Sequence, residues 1–457
     1  MPETPVPELS RSARLPDSGT QGPPGVWAIP AILVLSFGFV AFHVKAYPTF
    51  SPLDERQHVD YLYRVSRGEL LRMGEQIGQE TLRDEACRGL DWILFTPPPC
   101  HPNRTYDPNA YPDLGYNSAH VHPPTYYFLT NAVSKALSVT GVSTNFVSAG
   151  RLSGGLWLGL ALVLFWYAGR ELGIPPTNRI IAMVLLGTTP AMIHASSIVN
   201  PDSTSLLAGV AMLSSVLVWE RKRGRLILLL PLSAAFAVAL KFTNVLVVAA
   251  SAVYLILRWW TSKGEERNDA KPVGGYLPAV AALAIGAIVP IVLWSIAHDR
   301  LILAPINPQL AQFQVDTLTG DAVVGQMMAL ATPVKDAWLP PFFNNAAVKA
   351  ILQLLNLGLL ATVFGAAFFE KPTLRRTLIA ISGGVVILVA GMALTIANFY
   401  LNSRAYVAIP PRYGLSVLPF LFLAFASALR PRGISWVAAL LAVFSAVVAL
   451  LGLVSAL

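Results

Sequence analysis

What most limits this chain is a succession of apolar runs, each close to the ~20 residues a helix needs to cross a bilayer. They fall near residues 26–46, 148–169, 180–196, 203–219, 226–240, 242–257, 275–297, 346–369, 377–397, 413–429 and 433–456. In a bilayer core every backbone polar group must find an internal partner, which leaves helices or a closed barrel. Runs this long without alternation read as helices. The composition agrees: 54% of residues are hydrophobic and 13% charged, against about 45–50% and about 25% in soluble domains. The expectation is an all-α polytopic membrane protein of about eleven spans. Residues 26–457 form one transmembrane domain behind a disordered tail at 1–25, rich in Pro, Ser, Thr and Gly.

Orientation follows from the cations. With the N-terminus in the cytoplasm and eleven crossings, the short inner segments are "GRELGIPPTNR", "ERKRGR", "RWWTSKGEERNDAK", "EKPTLRR" and "LRPRG"; with Arg11 and Arg14 they hold 17 of the 33 Lys and Arg residues. This satisfies the positive-inside rule. The net charge of +8 is therefore a topology signal rather than a nucleic-acid footprint. The expected location is the plasma membrane. Two long segments, 47–147 and 298–345, then lie outside the cytoplasm. Both cysteines, Cys87 and Cys100, fall in the first, and the oxidising compartment favours a disulfide between them.

Chemistry is concentrated in that first segment. Of the 25 acidic residues, eleven lie between 54 and 113, and the next is Glu171. "SPLDERQHVDYLYRVSRGEL", from Ser51, reads as an amphipathic helix with Ser51 as N-cap, Pro52 at the first helical position and Asp54 at N3. Capping alone explains Asp54, and Glu55 suits the positive end of the helix dipole. Against that, Asp54, His58 and Tyr61 stack an acid, an imidazole and a phenol on one face.

Three further signals follow. "HVHPPTYYFLTNAVSKAL", residues 120–137, reads as a helix lying in the outer interface, where Tyr126 and Tyr127 would sit at headgroup depth. Its histidines are either hydrogen-bonded to backbone or half of a metal site with His58. In "SSIVNPDSTSLL", Asn200 or Asp202 caps the following helix, or Asp202 faces a cavity as a functional intramembrane acid. Arg151, Lys241, Arg404 and Arg412 all fall at the outer ends of spans; each alone would only snorkel, and together they suit a lipid phosphate.

The acidic "LDERQH" after the first span, "HPPTYYFL" before the second, "AGRLSG" opening it, "NPDS" after the third and "PPRYGLSVLP" near the end resemble, in order and sidedness, the GT-C superfamily of membrane glycosyltransferases. Those enzymes take sugars from polyprenyl-phosphate carriers on the outer membrane face. The resemblance implies a GT-C-like fold and a catalytic base at Asp54, with Glu55 beside it as the alternative. It also implies a second acid at Asp202 and substrate contacts among His58, His122, Tyr126, Tyr127, Arg151, Lys241, Arg404, Arg412 and Tyr413. Where a common relative has Lys or Glu-Lys before the prolines, this chain has His122. The implied partners are a polyprenyl-phosphate-linked sugar and a glycan, lipid or protein acceptor in the cell envelope, in an inverting transfer. These residues specify no cofactor; a divalent metal between Asp54, Asp202 and a histidine is compatible with them. Two rival readings stand beside the enzyme. A secondary transporter would show paired broken helices in two related halves, and no such repeat is visible. An envelope-assembly scaffold would use "SPLDE" only as a helix start.

Overall fold

The computed structural model describes residues 27–454 except 91, 93, 102, 263–274, 305–309, 311–312, 336–345, 371–374, 402–403 and 430–431. The expected tail at 1–25, and parts of the second long segment at 298–345, lie outside the described residues. The helices in chain order are α1 (Ala28–Ala46), α2 (Glu55–Ser66), α3 (Gln79–Arg88), α4 (Thr125–Val139), α5 (Phe146–Glu171), α6 (Pro176–Gly187), α7 (Pro190–Ser197), α8 (Ser205–Arg221), α9 (Leu229–Leu240), α10 (Val245–Thr261), α11 (Tyr276–Asp299), α12 (Gly320–Leu330), α13 (Ala346–Phe369), α14 (Arg375–Leu401), α15 (Leu418–Ala428) and α16 (Arg432–Val454). Short 3-10 turns, Pro201–Thr204 and Pro411–Val417, lead into α8 and α15. β pairing among the described residues is confined to isolated bridges.

Among the described residues nine helices are long and apolar enough to cross a membrane, with α8, α10 and α15 each counted together with the 3-10 turn that precedes it, and ten spans result if a bent pair is counted as one. The apolar run at 180–196 is that pair: α6 and α7 meet at 66°. The break falls where Pro190 opens a new helix capped by Thr189, whose hydroxyl accepts from the Met192 amide at 3.3 Å. The run at 226–240 forms only the 12-residue α9, about 18 Å at 1.5 Å per residue. It stops at Lys241, whose backbone turns extended. The make-up is that of a multi-pass membrane protein, with nine or ten such helices where eleven runs were counted.

Small residues bring the helices together, as membrane packing requires. A Cβ on Gly154 would stand 2.0 Å from the Ser196 carbonyl oxygen, and one on Gly209 would stand 2.1 Å from that of Ser416. These two approaches matter most. The first seats the end of α7 against α5; the second seats the Pro411–Val417 turn against α8, two helical turns beyond Asp202.

The bundle has two chemically distinct ends. At one, Arg221 pairs with Glu171 at 2.8 Å, while Arg258 and Arg375 meet Glu220 at 3.2 and 3.5 Å. The basic ends of α5, α8, α10 and α14 are therefore gathered together. The other end carries α2, α3 and α4 and the turns between them. Cys87 and Cys100 are disulfide-bonded there, Cα atoms 4.6 Å apart, beside a small core of Ile77, Leu82, Tyr106 and Tyr111. Tyr126 and Tyr127, expected at headgroup depth, are instead wholly enclosed by protein: α4 packs on α2 and α5 and turns these rings inward.

Candidate active site

The start of α2 differs from the expected capping box. The helix begins at Glu55, and Asp54 is its N-cap residue without a side-chain cap. Glu55, not Asp54, reaches back to the Ser51 amide, at 2.8 Å. Asp54 adopts φ 63°, ψ −2°, the left-handed region that costs an ordinary residue roughly 1–3 kcal/mol and persists where its surroundings enforce it. The two adjacent acids are thereby sent in opposite directions.

Glu55 is fully buried and saturated. Arg151 holds it with a two-pronged fork, Nε to Oε1 and Nη2 to Oε2, both 2.7 Å. The Val199 amide adds a 3.2 Å bond. The remaining reach of Arg151 goes to the Tyr47 and Thr49 carbonyls at 2.8 and 2.7 Å. This knot ties the end of α1, the start of α2, α5 and the 198–202 segment, and neither partner lines the cavity described next.

Asp54 has a half-exposed side chain, and its Oδ2 accepts from Arg412 Nη2 at 3.0 Å. The same guanidinium donates through Nε to Asp202 Oδ2 at 3.0 Å. Asp202 Oδ1 is bound by the Lys241 ammonium, which also lies 4.1 Å from the centre of the Tyr413 ring. Asp202, Lys241 and Arg412 are almost wholly buried. Two carboxylates and two cations thus form a neutral cluster in which Arg412 bridges both acids.

Asp54, Lys241 and Tyr413 form part of the wall of a cavity of about 760 Å³. Its apolar lining includes Phe242, Ile302, Leu310, Leu394, Leu401 and Val407. Four of the chain's seven histidines also line it: His58, His120, His122 and His298. His58 Nδ1 lies 2.7 Å from the Tyr127 hydroxyl, and its ring centre is 5.3 Å from that of His122. His120 and His298 stack 5.2 Å apart with a 2.9 Å contact between Nδ1 and Nε2. Burial, then the neighbouring His122, Lys241 and Arg412 charges, pushes His58 well below the usual imidazole range. Burial and Lys241 bring His122 down to about 3; burial and His298 bring His120 down to about 4. All three are neutral at physiological pH, so none of them brings a charge to the cavity.

Of the residues singled out from sequence, the fold brings Asp54, His58, His122, Lys241 and Tyr413 to one cavity, with Asp202 and Arg412 directly behind. Tyr127 supports His58 from outside the wall. Tyr126, Glu55 and Arg151 are buried elsewhere, and Arg404, at φ 62°, has an exposed side chain that is not part of the lining. Sequence reading missed His298, Trp294, Asp299, Gln314 and Asn398. The spacing of Trp294, Ser295 and His298 was the available signal, since it puts them on one face of α11. Asp202 and Asp54 face arginine and lysine, and no group of three or more His, Cys, Asp or Glu among the described residues is arranged to hold a metal. The chain matches no protein-family model and no curated protein sequence.

Proposed function

We propose that this chain is a membrane glycosyltransferase of GT-C type, moving a sugar from a polyprenyl phosphate to an acceptor in the cell envelope. The carrying observation is the placement of Asp54: a half-exposed carboxylate in strained backbone, on a cavity wall beside Lys241, tied through Arg412 to a buried second acid. The positive-inside rule puts the cation-rich bundle end in the cytoplasm of the plasma membrane and this cavity on the outer side.

In the proposed reaction the Asp54 carboxylate takes the proton of an acceptor hydroxyl. The hydroxyl oxygen attacks the anomeric carbon from the face opposite the phosphate. The bond from that carbon to the phosphate oxygen breaks, and its electron pair leaves with the polyprenyl phosphate, which gains one negative charge. Configuration is inverted. A phosphate leaves without an added proton, so the site needs one base and a cationic cradle for the charge that develops. Lys241 and Arg412 form that cradle, held apart and oriented by Asp202. The apolar wall at Leu394, Leu401 and Val407 suits the first isoprene units of the carrier.

The test is transfer of label from radiolabelled polyprenyl-phosphate sugars by purified protein supplied with envelope extract as acceptor. Label moving to the extract, with free polyprenyl phosphate released in equal amount, supports the reading. Uptake of intact donor into vesicles, or no consumption of any donor, would remove it.

A further inference from the structure

The proposal here rests on that reading and names the class of sugar. The cavity divides its chemistry unevenly: its cations stand together at Lys241 with Arg412 behind, while another wall is made of neutral groups. That wall runs from His58 and His122 through the His120–His298 stack to Trp294, Ser295, Gln314 and Asn398. Trp294, Ser295 and His298 recur at helical spacing on α11. The Trp294 indole is pinned by a 3.3 Å bond to the Val121 carbonyl, which holds α11 against the turn that carries His120 and His122.

We infer that the sugar carried by the donor is a neutral, polyhydroxylated one, its hydroxyls read by this histidine and amide wall, and that sugars bearing a carboxylate are excluded. A hydroxyl both donates and accepts, and so do neutral imidazole and a carboxamide. The indole ring adds a flat apolar surface for the C–H face of a pyranose.

Charge supplies the exclusion. Lys241 and Arg412 are already matched by Asp54 and Asp202, and the phosphodiester brings one further negative charge. Among the described lining residues there is no other lysine or arginine. The second carboxylate among the described lining residues, Asp299, is exposed. A sugar carboxylate at the wall would therefore add a second anion with no cation of its own, a penalty of roughly 100-fold in affinity if one buried charge goes unpaired.

Binding decides this without knowledge of the acceptor. Full-length protein in detergent is titrated with decaprenyl phosphate, decaprenyl-phosphate glucose and decaprenyl-phosphate glucuronate. The glucose probe is expected to bind about tenfold more tightly than the bare phosphate, and the glucuronate probe about 100-fold more weakly than the glucose probe. Ser295→Arg, which places a cation on the wall, should narrow that gap by about tenfold. Glucuronate binding as tightly as glucose overturns the exclusion, and equal affinity for glucose probe and bare phosphate overturns the wall as a sugar site. If none of the probes binds, the lipid-phosphate reading itself fails and this inference falls with it.

Discussion

Helix α8 has a buried carboxylate at each end, and each is met by two cations. Asp202, just before its start, holds Lys241 and Arg412. Glu220, near its finish, holds Arg258 and Arg375. By ion pairing alone the two cannot be told apart. Their surroundings differ. Glu220 also accepts from the Tyr254 hydroxyl at 2.7 Å, with the Tyr276 hydroxyl at 3.5 Å, and this ring of partners closes it. The cations of Asp202 instead lead outward, to Asp54 and to the cavity. Buried ion pairs mark helix junctions as often as sites. Here the distinguishing feature is a carboxylate left half open at the edge of the network.

The comparison is broken most sharply at Asp54. Asp54→Asn keeps the shape and the open position and removes the proposed base, so turnover in the label-transfer assay should fall by ~10²–10⁴-fold with unchanged elution and circular dichroism. Near-normal turnover would remove Asp54 from the mechanism. Arg412→Lys leaves a charge without the fork that bridges both acids; losing one charged hydrogen bond should cost about 10- to 100-fold in turnover. At the opposite end, Glu220→Gln leaves two arginines without their buried partner. The expected effect is on stability, roughly 1–3 kcal/mol because both arginines are partly exposed to solvent, with turnover per folded molecule retained. A variant as stable as the parent but inactive would reverse the roles assigned to the two ends.

A third buried acid sharpens the contrast in the region outside the spans. Glu85 on α3 is fully buried, its nearest cation is Arg56 Nη1 at 3.8 Å, and neither of its oxygens accepts a hydrogen bond. Burial raises it to about 7 from 4.5, with Arg56 pulling the other way. The folded chain therefore holds a proton that the unfolded chain has released. Stability is full below pH 4.5, falls as pH rises through the interval to about 7, and levels off above it, a loss of roughly 3 kcal/mol from this group. Thermal unfolding at pH 5 and pH 8 measures it, and Glu85→Gln should flatten the difference. An unchanged pH dependence in the variant would assign the effect to another group.

Sequence carried much of this arrangement, for reasons that can be located. Apolar run lengths identified the helices that could span, because bilayer thickness sets a length that survives in one dimension. They failed at 180–196, where hydropathy continues through Thr188-Thr189-Pro190 although the helix bends there, and at 226–240, where the helix runs to Lys241 but begins only at Leu229 and is too short to cross. Asp54, Asp202, Lys241 and Arg412 were legible because each sits at a span end on the same side. Which of Asp54 and Glu55 faces the cavity was not legible, since it turns on one positive φ and on Arg151 arriving from a helix 96 residues away. The histidine wall was hidden for the same kind of reason: His120 and His298 are 178 residues apart, and no local pattern announces their pairing.

The smallest expected effect belongs to Arg404, which from sequence stood level with Arg412 as a phosphate ligand beside the "PP" segment. In the fold the two part company within eight residues. Arg412 is buried between two carboxylates, whereas Arg404 turns its backbone through φ 62°, donating its amide to the Phe399 carbonyl at 2.9 Å and accepting at its own carbonyl from Val315 at 3.1 Å. Its side chain is exposed and takes no part in the cavity lining. Asn tolerates that left-handed backbone better than most residues, so Arg404→Asn removes the charge while keeping the turn. Turnover and donor affinity should stay within about twofold of the parent, since an exposed cation is screened beyond ~8 Å at physiological salt. A loss comparable to that of Arg412→Lys would mean that the bound donor extends past the cavity wall to Arg404, and the phosphate cradle would then have to be redrawn to include it.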